Sequence, residues 1–270
     1  MTRIGILAVL LCVGIFSACG SSPESVTSSS EAEPLSVTAQ VYDREFYSED
    51  SKLLLGAYHY VIPHMNESSE NESDRKTAQA FNKMTGSVLE SEMDSWVKTM
   101  ENAQTLYSTA GNTVWGDGTM HWNDEISYDL HQMEKLISLR FKHGGYVGGA
   151  HNYSYYENVL FSLAEGRKIE LQELTDDPEE LELIVAEEIL DQIEESGVKE
   201  DNCYWDDYDL TVLHWMQNDY GVYFGEEQQL EIIFPAYELA CYAAGPQSFT
   251  VDKTIYESYL NDYGRDLLAI

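Results

Sequence analysis

The chain has 270 residues, with 48 acidic against 15 basic side chains and a formal charge of −33. Apolar residues make up 43% and aromatics 12%, too much core material for a disordered acidic tail. The charge excludes nucleic acid and anionic lipid headgroups as default partners, because phosphate binding needs clustered Lys and Arg; it suits a basic protein or a divalent cation.

Met1 to Gly20 has the pattern of an export signal. Arg3 supplies the positive start, and Ile4–Phe16 is an apolar run too short to span a bilayer as a helix, which takes roughly 20 residues. Phe16-Ser17-Ala18-Cys19 resembles a bacterial lipobox, in which the cysteine is lipidated and becomes the mature N-terminus; an ordinary secretory signal cut near Ala18 is the alternative. Two acyl chains on Cys19 would anchor the protein stably, where one would not. Loss of residues 1–18 removes only Arg3 among the charges, leaving a mature charge of −34. Residues 19–40 are rich in Ser and Glu, with Pro23 and Pro34, and are expected to be a flexible tether. The globular part is expected from Val41, on the outer face of the bacterial cell membrane.

Leu53 to Met65 reads as a strand, with Tyr58, Tyr60 and Ile62 alternating against His59 and Val61. From Ser73 to about Ala110, apolar residues recur at helical spacing, which predicts one long helix or two broken near Gly86. Gly111–Gly118 is a turn-rich connection. Ile126, Tyr128 and Leu130 alternate with polar residues, as do Ile137, Leu139 and Phe141, which predicts a hairpin. A third strand is expected over Asn152–Leu163. Asp177-Pro178-Glu179-Glu180 is a helix start, with a cap, a first-turn proline and acids at the positive end of the dipole. Leu181, Val185, Ile189 and Ile193 follow at intervals of four, and Gly197 is the stop. Glu200–Asp209 reads as an acidic aromatic loop. Short strands are expected at Tyr220–Phe224, Gln229–Phe234, Glu238–Tyr242 and Ser248–Val251, with a last helix over Thr254–Asn261. Grouped strands joined by hairpins predict an α+β fold of two small antiparallel units with packed helices, one over residues 41–153 and one over 154–263.

No sequence motif marks a catalytic centre, and no cofactor is implied. Gly144–Gly149 lies between antiparallel strands and opens no helix, so it reads as a turn with close backbone packing rather than a phosphate cradle. His59 and His64 sit five apart along a strand and point to opposite faces. His143 and His151 flank the glycine turn, either converging on a metal or serving as hydrogen-bonded turn residues. Asp201, Asp206, Asp207 and Asp209 lack the glycine of a calcium loop and read as a solvated edge, with a weak cation site as the alternative. Cys12 leaves with the signal; Cys203 and Cys241 are candidates for a disulfide, with two free buried thiols as the alternative. Among the aromatics, Tyr153, Tyr155 and Tyr156, after the glycine turn, and Tyr237 and Tyr242, near Pro235, are the best placed to stack on sugars or anchor a protein.

Two segments carry a family resemblance. Tyr146-Val147-Gly148-Gly149-Ala150-His151 is similar to the closing signature of a bacterial extracytoplasmic domain of unknown function. Phe234-Pro235-Ala236-Tyr237-Glu238-Leu239-Ala240-Cys241-Tyr242-Ala243-Ala244-Gly245 is similar to the signature of the domain that usually follows it, and Gly166–Leu174 resembles a stretch between them. This pair forms the outer part of lysozyme-sensing anti-sigma factors and the N-terminal part of some peptidoglycan deacetylases. Cys241 stands where the family has a proline. The resemblance implies a surface binding domain for a lysozyme-like cationic hydrolase, with a cell-wall glycan as the alternative ligand; the acidic clusters permit a hydrolase as a third reading. Tyr146, His151, Tyr155, Pro235, Tyr237 and Tyr242 are the expected contact residues.

Overall fold

The computed structural model describes residues 35–50, 52–110, 121–196, 204–217 and 221–270. The export signal, Cys19, most of the tether, the 111–118 connection, Gly197, Asp201 and Cys203 lie outside them. Among the described residues no helix is long and apolar enough to cross a membrane.

Six strands lie side by side in chain order: β1 (Val37–Tyr47), β2 (Leu54–Met65), β3 (Trp122–Gln132), β4 (Leu136–Tyr146), β5 (Tyr153–Ser162) and β6 (Arg167–Ile169). All neighbours are antiparallel except β2 and β3, which are parallel. Parallel neighbours need a crossover, and α1 (Glu72–Ala110) supplies it. The α+β class therefore holds, with the larger sheet mixed. β1 starts inside the stretch expected to be tether: Val37–Gln40 already pair with Ile62–Met65, because Val37 and Thr38 are β-branched and Val37 packs against the core.

The helix predicted as one or two is one. Ala78, Phe81, Thr85, Leu89, Trp96, Met100, Ala103 and Tyr107 are buried at steps of three, four and seven, a single stripe laid on the sheet. Gly86 does not break it: a Cβ there would meet nothing within 4 Å, so the glycine costs only about 1 kcal/mol of propensity. Tyr58, Tyr60 and Ile62 of β2 and Ile137, Leu139 and Phe141 of β4 receive the stripe.

The second unit has β7 (Tyr223–Phe224), β8 (Leu230–Phe234) and β9 (Gln247–Val251) in an antiparallel sheet, with α2 (Pro178–Glu195), α3 (Tyr208–Gln217), α4 (Lys253–Tyr256) and α5 (Asp262–Leu268). α2 starts as its sequence dictates: the Asp177 side chain accepts from the Glu180 N–H at 3.1 Å, and Leu181, Val185, Ile189 and Ile193 are buried. α3 replaces the end of the expected acidic loop, because Tyr208, Val212 and Met216 bury one face at intervals of four. Glu238–Tyr242 is not a strand. It makes one bridge, Tyr204–Ala240, before a 3-10 turn at Tyr242–Ala244. The helix expected over Thr254–Asn261 is the short α4 followed by a 3-10 turn, and α5, capped by Asn261, begins beyond it.

The expected boundary at 153/154 falls at the start of β5, and β5 and β6 complete the first sheet. Leu136, Leu160 and Ile169, on the face away from α1, join the core of the second unit. Polar contacts bind the junction. Arg140, 1% exposed, donates from Nη1 to the Glu231 carboxylate and from Nη2 to the Glu231 carbonyl, both at 3.0 Å, and from Nε to Asn158 at 3.0 Å. Its guanidinium lies 4.4 Å from the Tyr223 ring centre. Ser138 Oγ accepts from the Phe224 N–H at 2.7 Å, and His131 Nδ1 donates to the Phe224 carbonyl at 3.0 Å.

Candidate functional site

The β4–β5 turn is built from glycine for local reasons. Gly148 and Gly149 have φ of 96° and 94°, the left-handed region that side chains avoid. A Cβ on Gly145 would lie 2.2 Å from the Asn123 carbonyl oxygen and 2.7 Å from the Tyr153 hydroxyl. The missing side chain lets the Tyr153 ring cross β4 toward β3. Tyr146 closes the turn by donating from its hydroxyl to the Gly149 carbonyl at 3.1 Å.

Outside the turn, the two sequence segments singled out above meet. The His151 ring stacks on Tyr242 at 4.1 Å and meets Tyr237 edge-on at 6.3 Å, and the two tyrosines lie 5.3 Å apart. Tyr237 is 52% exposed. It occupies the third position of a turn closed by the Glu238 N–H donating to the Pro235 carbonyl at 3.2 Å. Its φ is 79°, a position where such turns favour glycine. Trp205, 40% exposed, holds it by donating from Nε1 to the Tyr237 carbonyl at 2.9 Å. A strained, exposed aromatic kept where glycine would fit better is the kind of local cost that marks a binding surface.

An acidic cleft lies at the same end of the sheet. Glu45, Ala57, Asn123 and Tyr146 form one row across four strands, which puts Glu45 about 14 Å from Tyr146 at ordinary strand spacing. The cleft, about 570 Å³, is lined by residues that include Asp43, Glu45, Tyr58, His59, Asp124 and Glu125. His59 and Asp43 pair at 2.6 Å. Glu125 is the register partner of His59 on its other side, so His59 stands between two acidic residues in one row of the sheet.

Behind the cleft, under α1, the core turns polar. Glu92 occupies a core-facing position of the helix stripe, where its neighbours in the stripe are buried. Facing it, Asp124 accepts from the hydroxyls of Tyr60 and Tyr153, the latter at 2.6 Å. Glu92 accepts from the Tyr155 hydroxyl at 3.1 Å. Burial raises the Glu92 carboxyl above its ordinary pKa, aided by the charges of Asp124 and Glu157 and opposed by the Tyr155 bond. Burial and the neighbouring carboxylates likewise hold Tyr60, Tyr153 and Tyr155 in the neutral form. His143 is 3% exposed and stacks on Tyr155 at 4.3 Å. Neither of its ring nitrogens has a hydrogen-bond partner, and burial pushes its pKa down to about 4, so it is neutral at pH 7.

Of the expected contact residues, His151, Tyr237 and Tyr242 come together, Pro235 starts the turn that presents Tyr237, and Tyr146 braces the glycine turn. Tyr155, 40% exposed, stands apart from them and donates to Glu92 at the rim of the polar layer. His143 and His151 do not converge: one stacks on Tyr155 and the other on Tyr242. Among the described residues no cluster of three or more His, Cys, Asp or Glu is set to hold a metal ion. Cys241 is half-buried, and its expected partner Cys203 lies outside the described residues. Glu92 and Asp124 belong to no motif in the sequence. Trp205, one of five tryptophans, lies in the stretch that reads as an acidic aromatic loop. The helix stripe was the one available sign of Glu92.

Compared by sequence, the chain matches no family model and no curated protein. Its fold is that of proteins from a domain family of unknown function, DUF3298. One such protein, from Bacteroides fragilis, superposes with a TM-score of 0.62 at 12% identity, covering 87% of this chain and 96% of its own. Another, from Pseudomonas aeruginosa, superposes with a TM-score of 0.52 at 10% identity, covering 86% and 96%.

Proposed function

We propose that this protein is a non-enzymatic binding protein, lipid-anchored through Cys19 to the outer face of the bacterial cell membrane, and that its partner is a basic protein of the lysozyme-like hydrolase class. The observation that carries the reading is the shared aromatic patch. The two segments that resemble the paired domains of lysozyme-sensing anti-sigma factors and deacetylases contribute His151 on one side and Tyr237 and Tyr242 on the other to one exposed cluster. Aromatic anchors of this kind dominate protein interfaces.

The acids supply the complementary part. Asp43, Glu45 and Glu125 stand at the same end of the sheet, on a chain of charge −33. Screening over roughly 8 Å at physiological salt limits them to short-range steering, and specificity falls to the aromatic patch. The polar layer plays no chemical part in this reading, because both oxygens of Asp124 are taken by tyrosine hydroxyls.

Titration with a cationic lysozyme at low and at high salt tests the proposal. Binding at low salt that weakens with added salt is the expected result. No binding at low salt would sink it, and salt-indifferent binding to purified peptidoglycan would replace it with the glycan reading.

A further inference from the structure

We infer that the outer edge of β1 is a docking strand to which a basic partner adds an extended segment. β1 is the terminal strand of the sheet, and among the described residues no strand lies beyond it. A terminal strand exposes a row of unpaired backbone donors and acceptors. Proteins usually shield such a row with charges, proline or a bulge.

β1 is shielded at only one end. Asp43, Arg44 and Glu45 bring charge there, and the pairing with β2 becomes irregular between Phe46 and Tyr47. The preceding six residues, Val37–Tyr42, contain no charge, no proline and no glycine. They are rich in strand formers, and Val41 is 49% exposed. The register to β2 runs without a shift from Val37 to Phe46, so this open stretch is held straight as a template. Strand addition uses such a template: backbone bonds supply affinity, and pockets beside the edge supply selectivity.

The charged end sets the chemistry of the occupant. It opens onto the cleft with Asp43, Glu45 and Glu125. The one arginine there, Arg44, lies over the Phe46 ring at 4.5 Å. A segment running antiparallel to β1 brings its N-terminal end to these carboxylates, so a Lys or Arg at that end is selected and an acid rejected. A second copy of this chain is disfavoured by its own charge of −33. The inference stands apart from the aromatic patch, since it uses only β1 and the cleft.

The test uses the full-length chain and two labelled heptapeptides, Lys-Lys-Thr-Val-Thr-Val-Thr and the same sequence headed by Glu-Glu. Binding is followed by fluorescence anisotropy and by hydrogen exchange. The expected result is that the Lys-headed peptide slows exchange at alternate amides of Val37–Tyr42, and that the Glu-headed peptide binds at least about tenfold more weakly. Val41→Lys and Glu45→Lys, both at exposed positions, should each weaken the Lys-headed peptide by about tenfold while leaving near-UV dichroism unchanged. Unchanged exchange in β1 at saturating Lys-headed peptide overturns the inference, whatever lysozyme does. So does equal binding of the two peptides, or a dimer in sedimentation that already protects β1.

Discussion

Arg140 and His143 stand three residues apart on β4, on opposite faces of one sheet, and both are almost wholly buried. Arg140 is surrounded by partners: a carboxylate, a carbonyl, an amide oxygen and a ring face. His143 has no hydrogen-bond partner at either nitrogen and has given up its charge instead. A guanidinium cannot shed its proton, so it is tolerable in the interior only where the structure supplies acceptors. An imidazole loses its charge readily and then packs as a flat ring. The same strand therefore locks the two units together on one face and cushions the polar layer under α1 on the other.

The largest effect is expected from breaking the locked side. Arg140→Met leaves the Glu231 carboxylate, about a third exposed, without its counter-charge inside the junction. Urea denaturation should show a loss of about 3 kcal/mol. Glu231→Gln, which keeps hydrogen bonds to Arg140, should lose less. Equal, small losses from both would mean that the junction is held by its apolar contacts alone.

On the other face the sign reverses. His143→Phe removes two unsatisfied nitrogens and keeps a ring against Tyr155, so it should stabilise the protein by about 1 kcal/mol at pH 8. Between pH 6.5 and about 4 the unfolded chain takes a proton at position 143 that the folded chain refuses. The wild type therefore loses stability as pH falls through that window, and the variant does not. At pH 5 the advantage of the variant should be larger by roughly 2 kcal/mol. Thermal melts at the two pH values check this, and a gain that is the same at both would refute the neutral, buried imidazole.

The smallest stability effect is expected at the patch. Tyr237→Gly relieves the left-handed backbone conformation and should raise stability by about 0.5–1 kcal/mol while weakening the basic partner. A variant that gains stability and keeps full binding would show that the strained tyrosine has no part in recognition.

What the sequence made legible was local. The cap and proline of α2, the stride of four along it, the β3–β4 hairpin and the long α1 each depend on residues close in the chain, and each is present. α3 carried the same stride of four in Tyr208, Val212 and Met216. It was obscured because aromatic and β-branched residues such as Tyr208, Thr211 and Val212 favour strands and the flanking acids favour loops. The candidate site was half legible. Glycine and proline marked the turns that present His151 and Tyr237, but the meeting of the two turns is a long-range contact that spacing does not encode. Glu92 and Asp124 were lost among 48 acids; what separates them is their place in the tyrosine-bonded layer between α1 and the sheet.

The central claim is that the two turns form one recognition surface. Its most direct test is a titration of a cationic lysozyme, at one low salt concentration, against the wild type and against the His151→Ala/Tyr242→Ala double variant. The account predicts measurable wild-type binding and at least a roughly tenfold loss in the double variant, with the unfolding midpoint little changed. Equal binding by the two proteins would contradict it.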